Sequence, residues 1–156
     1  MNITVLAVGS KMPHWVDEAV AEYAKRFGRD IHFQLKEIKP EKRGSGVTAQ
    51  QGRAAEEVRL RAAIPAGSRV IVLDERGRRL TSVDLSQSLD QWQHNGVSPC
   101  FIIGGADGIA DSLKNAANEM IRLSDLTLPH GLVRVLLTEQ LYRAVSILHH
   151  HPYHRE

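Results

Sequence analysis

The chain has 156 residues, a formal net charge of +2 with histidine neutral, 42% hydrophobic residues and 24% charged residues. That length suits one domain over residues 1–156, and that composition excludes a disordered chain, a coiled coil and a collagen-like fibre. No apolar run reaches the roughly 18 residues of a membrane span, and the lone cysteine, Cys100, excludes an intramolecular disulfide, so the chain reads as cytoplasmic.

Residues 3–9 form a nearly continuous apolar run, the pattern of a strand buried on both faces. No basic flank or cleavage-like site accompanies it, so it reads as a strand and not as a signal peptide. Trp15, Ala19, Tyr23 and Phe27 then recur every four residues behind Pro13, giving one apolar helical stripe. Ile31, Phe33 and Leu35 alternate with polar residues, which predicts a half-buried strand near a sheet edge. Residues 39–47 lack a period and read as a surface loop. Thr48 and Gln51 have capping-box spacing for a helix ending near Ile64.

After a turn at residues 65–68, residues 70–73 predict a buried strand and residues 75–79 a charged loop. Thr81 and Asp84 open a helix carrying Leu85, Leu89 and Trp92, with Gly96 at its stop. Residues 100–103 predict the next buried strand. Leu113, Ala116, Ala117, Met120 and Ile121 predict a helix, residues 123–128 a short strand or extended loop, and residues 132–148 a long helix beyond Pro129.

Strands separated by helices imply a mostly parallel α/β sheet with helices on both faces. Such sheets bind ligands beyond the carboxyl ends of their strands. Residues 104–108 (Gly-Gly-Ala-Asp-Gly) match neither the dinucleotide fingerprint nor the P-loop. Two readings fit them: a tight strand-to-helix turn, or a place where a ligand touches backbone. The apolar stretch 123–128 beside Pro129 fits either a buried strand or the wall of an adenine site.

The last helix has an apolar stripe wider than one core face needs, suited to deep burial or to a partner. Glu139 and Arg143 stand at i,i+4 within it, either as a solvated ion pair or with Arg143 turned into a cleft. The tail holds His149, His150, His151, Tyr153, His154 and Arg155 without a cysteine or acidic cluster, so no metal site is expected. It reads either as an exposed tail or as a ring, an imidazole and a cation that meet a base and its phosphate. The mildly basic charge permits a nucleic-acid partner without requiring one.

Five segments stand in order along the chain: Ala7-Val-Gly-Ser-Lys-Met-Pro13, Phe101-Ile-Ile-Gly-Gly-Ala-Asp-Gly108, Leu126-Thr-Leu-Pro-His130, Leu137-Thr-Glu-Gln-Leu-Tyr-Arg-Ala144 and His151-Pro-Tyr-His-Arg-Glu156. Together they resemble the bacterial ribosomal RNA large subunit methyltransferase H family, small enzymes of the SPOUT (trefoil-knot) class. The resemblance covers the whole chain and is weakest over residues 39–47. It implies a deep carboxyl-terminal knot, S-adenosylmethionine as cofactor, and methylation of N3 of a pseudouridine in helix 69 of 23S ribosomal RNA on the ribosome. Carried over residue by residue, it implies cofactor contacts at Leu73, Gly104, Leu123, Ser124, Asp125, Leu126, Thr127 and Leu128. It also implies a homodimer with the site completed across the interface, and no membrane or metal partner.

The N3 proton must leave during such a reaction. His130 and His154 titrate near neutral pH, Arg143 and Arg155 suit a phosphate or developing oxyanion, and Tyr153 suits stacking on the base. No single base is assigned among them. Lys42, Arg43, Arg76, Arg78 and Arg79 are candidates to dock on RNA, or are plain surface charges. Two other functions share these features: a SPOUT methyltransferase acting on another RNA such as tRNA, and a non-catalytic ribosome-associated nucleotide-binding module.

Overall fold

The structure is a computed structural model and describes residues 1–155. Strands and helices alternate as β1 (Asn2–Val8), α1 (His14–Ala24), β2 (His32–Ile38), α2 (Ala49–Ala63), β3 (Arg69–Arg78), α3 (Ser82–His94), β4 (Pro99–Ile103), α4 (Asp111–Ala116), β5 (Glu119–Ile121) and α5 (His130–Leu148). The five strands form one sheet in the order β2-β1-β4-β3-β5, and every pairing is parallel.

Burial follows the sequence pattern. β1 and β4, central in the sheet, are apolar on both faces and bury Ile3 to Val8 and Pro99 to Ile103. β2 lies at an edge and alternates half-buried Phe33 and Leu35 with exposed neighbours. On one face, Ile3, Val5, Phe101 and Ile103 pack with Leu85, Leu89 and Trp92 of α3 and Leu137 and Leu141 of α5. On the other, Leu6, Val72, Cys100 and Ile102 pack with Leu60 of α2 and Leu113 of α4. Burial pushes the Cys100 thiol up to about 12.

Both capping boxes form. The Gln51 amide donates to Thr48 Oγ1 at 3.0 Å, and the Asp84 amide donates to Thr81 Oγ1 at 3.0 Å. Pro13 stands at the N-cap of α1, and Trp15 is 53% exposed while Val16 fills the core side of that helix.

Three expectations need correction, and one pair of alternatives is decided. The helix expected through Ile121 stops at Ala116, and Met120 and Ile121 lie in β5. The cause is a tether: the Asn118 amide donates to the Val70 carbonyl at 2.9 Å, and Asn118 Oδ1 accepts from the Val70 amide at 2.7 Å. Helical periodicity in this stretch loses to pairing with β3. The charged segment 75–79 is not a plain loop, because β3 runs on to Arg78. Ile121 pairs with both Leu73 and Arg78, so residues 74–77 bulge out of the ladder. Of the two readings of residues 123–128, short strand or extended loop, the loop is the one observed. α5 begins at His130, directly after an N-cap at Pro129, two residues before the expected start.

Candidate functional site

The carboxyl ends of β3 and β4, the chain leaving β5 and the first turn of α5 converge on a cleft of about 620 Å³. Its wall from β4 is the turn 104–108, closed where the Gly108 amide donates to the Gly105 carbonyl at 3.0 Å. A Cβ on Gly104 would stand 2.7 Å from Ile109 and 2.9 Å from the Gly108 backbone. The glycine is therefore required by the closure of the turn itself, not only by space for a ligand. The wall from β3 is the bulge, which presents Asp74 and Glu75. The third wall is the loop after β5, where Ser124 Oγ accepts from the Leu126 amide at 2.9 Å and Leu126 is left 76% exposed at the lip.

Leu73, Gly104, Leu123, Ser124, Leu126, Thr127 and Leu128 all line this cleft, together with His130. Asp125, expected with them, does not. It turns to the other side of its loop, pairs with Arg79, and stands 3.4 Å from Arg122. Those cations hold its carboxyl below the usual carboxylate range.

Asp74 and Lys114 are among the charged groups of the cleft that were not singled out from the sequence. Lys114 of α4 reaches Asp74 at 2.6 Å. Burial opposes the Asp74 charge, but the hydrogen bonds from Lys114 and from the Arg76 amide outweigh it and keep the pKa low. Outside the turn, Arg43 bonds Asp107 Oδ2 at 2.5 Å and Glu56 at 3.3 Å. Its guanidinium lies where a Cβ on Gly52 would stand, 2.3 Å from Nη1. The segment 39–47 is thus strapped to the glycine turn. Arg43, Arg78 and Arg79 are all ion-paired within the chain.

His130 sits at the floor. Its Nδ1 is 2.8 Å from the Gly104 carbonyl, and Arg134 Nε donates to its Nε2 at 2.9 Å. Burial first, and the neighbouring Arg134 charge second, push its pKa below the ordinary value. Arg134 is 1% exposed and also donates from Nη1 to Glu37 Oε2 at 2.8 Å.

Arg143, Tyr153 and His154 gather elsewhere, at the far end of α5. Arg143 Nη2 lies 2.7 Å from Glu139 Oε1, which also accepts from the Tyr153 hydroxyl at 2.9 Å. The Arg143 guanidinium lies 4.7 Å over the Tyr153 ring, and its Nη1 donates to His154 Nδ1 at 3.2 Å. The Tyr153 ring also meets Tyr142 at 4.7 Å. Burial and Glu139 push the Tyr153 phenol up to about 12. Tyr153 and His154 are half-buried against the helix, whereas residues 149–152 and Arg155 are exposed. Neither this cluster nor Arg155 lines the cleft. Thirteen residues of helix separate His130 from Arg143, roughly 20 Å along the axis at ~1.5 Å per residue.

A family model described as "Predicted SPOUT methyltransferase" matches residues 1–154. The chain belongs to the SPOUT methyltransferases. It is 71% identical, over 100% of both chains, to the ribosomal RNA large subunit methyltransferase H of Neisseria meningitidis serogroup C / serotype 2a. It is 62% identical, again over 100% of both, to the protein of the same name from Chromobacterium violaceum. The structure of a probable methylase family protein from Haemophilus influenzae Rd KW20 matches at a TM-score of 0.61 and 13% identity, covering 99% of this chain and 70% of that one. That likeness shows the shared SPOUT fold. Open parallel α/β sheets bind ligands beyond the carboxyl ends of their strands, where this cleft lies.

Among the described residues no helix is long and apolar enough to cross a membrane. No group of three or more His, Cys, Asp or Glu gathers among them as a metal site.

Proposed function

We propose that this SPOUT methyltransferase uses S-adenosylmethionine to methylate N3 of a pseudouridine in helix 69 of 23S ribosomal RNA, acting on the ribosome in the cytoplasm. The observation that carries the proposal is 71% identity over the full length to a relative named for methylation of large-subunit ribosomal RNA. The cleft supports the cofactor part. Its volume of about 620 Å³ lies within the ~300–1,000 Å³ of ligand pockets. Leu73, Ile103, Leu123, Leu128 and Val133 offer apolar surface to a purine, and Asp74 and Glu75 offer negative charge to a sulfonium.

S-adenosylmethionine supplies the electrophilic methyl and its own leaving group. The chain's contribution is placement, worth ~7–11 kcal/mol when two reactants are held in line. The walls at 104–108 and 122–128 hold one reactant. Arg143, Tyr153, His154 and Arg155 suit the other, through a phosphate or oxyanion, a stacking ring and a titratable group. Departure of the N3 proton falls to His154 or to water. His130 serves as a clamp, since Arg134 already occupies its Nε2.

The roughly 20 Å between cleft and tail cluster within one chain supports a homodimer, with one protomer's tail reaching its partner's cleft. Half-buried Leu132, Leu136 and Ile147 on α5, and exposed Trp15 on the adjoining α1, supply apolar surface for it. Residues 1–156 act as one domain, and the trefoil knot belongs to the same proposal. The return of the chain from β5 past the cleft into α5 supports the knot.

Methyl transfer from labelled S-adenosylmethionine to intact ribosomes, free large subunits and tRNA tests the proposal. Label in ribosomal RNA supports it, and label in tRNA alone overturns it. Calorimetry showing no S-adenosylmethionine binding would favour a non-catalytic module.

A further inference from the structure

Arg134 is the largest fully buried side chain among the described residues. Burying a guanidinium is costly unless it is fully paired, and this one is not. Nη1 meets Glu37, whose side chain is 46% exposed, and Nη2 has no hydrogen-bond partner. Nε donates its hydrogen to a neutral imidazole rather than to an acid. An ion pair kept only for stability would be better satisfied than this.

The geometry has one consequence for His130. A guanidinium N–H can only donate. His130 Nε2 is therefore the acceptor, and the ring hydrogen resides on Nδ1. From there it donates to the Gly104 carbonyl. Of the two neutral tautomers, only this one makes both bonds. The chain of contacts joins the ends of β2 at Glu37, β4 at Gly104 and the first turns of α5. The end of β1 makes room for it: a Cβ on Gly9 would stand 3.0 Å from Arg134 Nη2 and 3.5 Å from His130 Nε2.

We propose that Arg134, anchored by Glu37, is a positioning residue that locks His130 in the Nδ1–H tautomer and so holds the Gly104 wall of the cleft. Arg134 does not line the cleft and acts only through the imidazole. The depressed pKa of His130 agrees with a ring kept neutral. The consequence for cofactor affinity rests on the cleft being the S-adenosylmethionine site; the tautomer assignment does not.

Nitrogen-15 NMR of the wild-type imidazoles at pH 7 reads the tautomer without any variant. Protonated Nδ1 with bare Nε2 is expected for His130. The opposite tautomer, a mixture or an imidazolium overturns the proposal. Calorimetry with S-adenosylmethionine then compares Arg134→Met, His130→Ala and the double variant. Arg134→Met is expected to raise Kd about tenfold, as one lost hydrogen bond to a wall allows. In the His130→Ala background it is expected to add nothing. Full additivity of the two effects would overturn the relay, because a merely structural Arg134 acts regardless of the imidazole. Should Arg134→Met fail to fold, Glu37→Gln, at a partly exposed site, replaces it in the same cycle, with an expected rise of about threefold; no rise overturns the relay. Wild type failing to bind S-adenosylmethionine would sink the cofactor assignment while leaving the tautomer result standing.

Discussion

Gly77→Ala is the sharpest probe of how the cleft wall is built. A Cβ at Gly77 would lie 2.3 Å from the Ile121 carbonyl carbon and 2.6 Å from its Cα, against 3.4–4 Å for ordinary contact. These are backbone atoms, so no side chain can swing away. β5 must retreat by roughly 1 Å, straining the Arg78–Ile121 pairing and the Arg122 amide bond to the Arg78 carbonyl. Overpacking costs ~1–3 kcal/mol and each strained hydrogen bond ~0.5–1.5 kcal/mol. The expected loss is about 3 kcal/mol, or a Tm lower by roughly 6–12 °C for a chain of this size. Because β5 leads directly into the loop 122–128, S-adenosylmethionine affinity should fall with it. Gly44→Ala is the control, since a Cβ there meets nothing within 4 Å; its stability should stay within about 0.5 kcal/mol. Scanning calorimetry and binding calorimetry read both effects. If Gly77→Ala melts and binds like wild type, the close approach of β5 is not what holds the wall.

Truncation after Pro152 should abolish methyl transfer yet leave most S-adenosylmethionine affinity, because the tail lies outside its own chain's cleft and is assigned to the RNA rather than to the cofactor; unchanged turnover on ribosomes would show that the tail is dispensable. His130 has a folded-state pKa below its unfolded value of ~6.5, so the folded chain binds fewer protons and wild-type stability declines as pH drops below about 6.5. His130→Gln should flatten that decline, and identical urea midpoints from pH 7 to pH 5 for both proteins would refute the burial assigned to the ring. Cys100 is fully buried with its thiol pushed up to about 12; it should resist a thiol reagent at pH 8 until the chain is unfolded. Sedimentation should give a dimer at micromolar concentration, and a stable, active monomer would contradict the composite site.

The alternation of strands and helices was legible because β1 and β4 are apolar on both faces and the helix starts carry side-chain caps at Thr48 and Thr81. Leu73 and Gly104 were legible as the places where buried strands end, and residues 123–128 as an apolar stretch beside Pro129. β5 was not, because three residues are too few to show a period of two and they continue a helical stripe. The pairing that decides it comes from Asn118 reaching back to Val70, a contact 48 residues apart. Asp125 looked equivalent to its neighbours until Arg79 drew it to the other side of the loop. Arg134 left a signal that is easy to pass over: a cation set among apolar residues in the first turns of α5, four residues after a histidine. That spacing places both on one helix face. The partner that gives the pair its meaning, Glu37, lies 97 residues away.

The most direct test of the account is the identity of the methylated nucleotide. Ribosomes from cells lacking the endogenous activity are incubated with the protein and S-adenosylmethionine, and their RNA is digested and analysed by mass spectrometry. The account predicts one N3-methylpseudouridine, in helix 69 of the 23S RNA. A methyl group on any other nucleotide, or on tRNA alone, would contradict it.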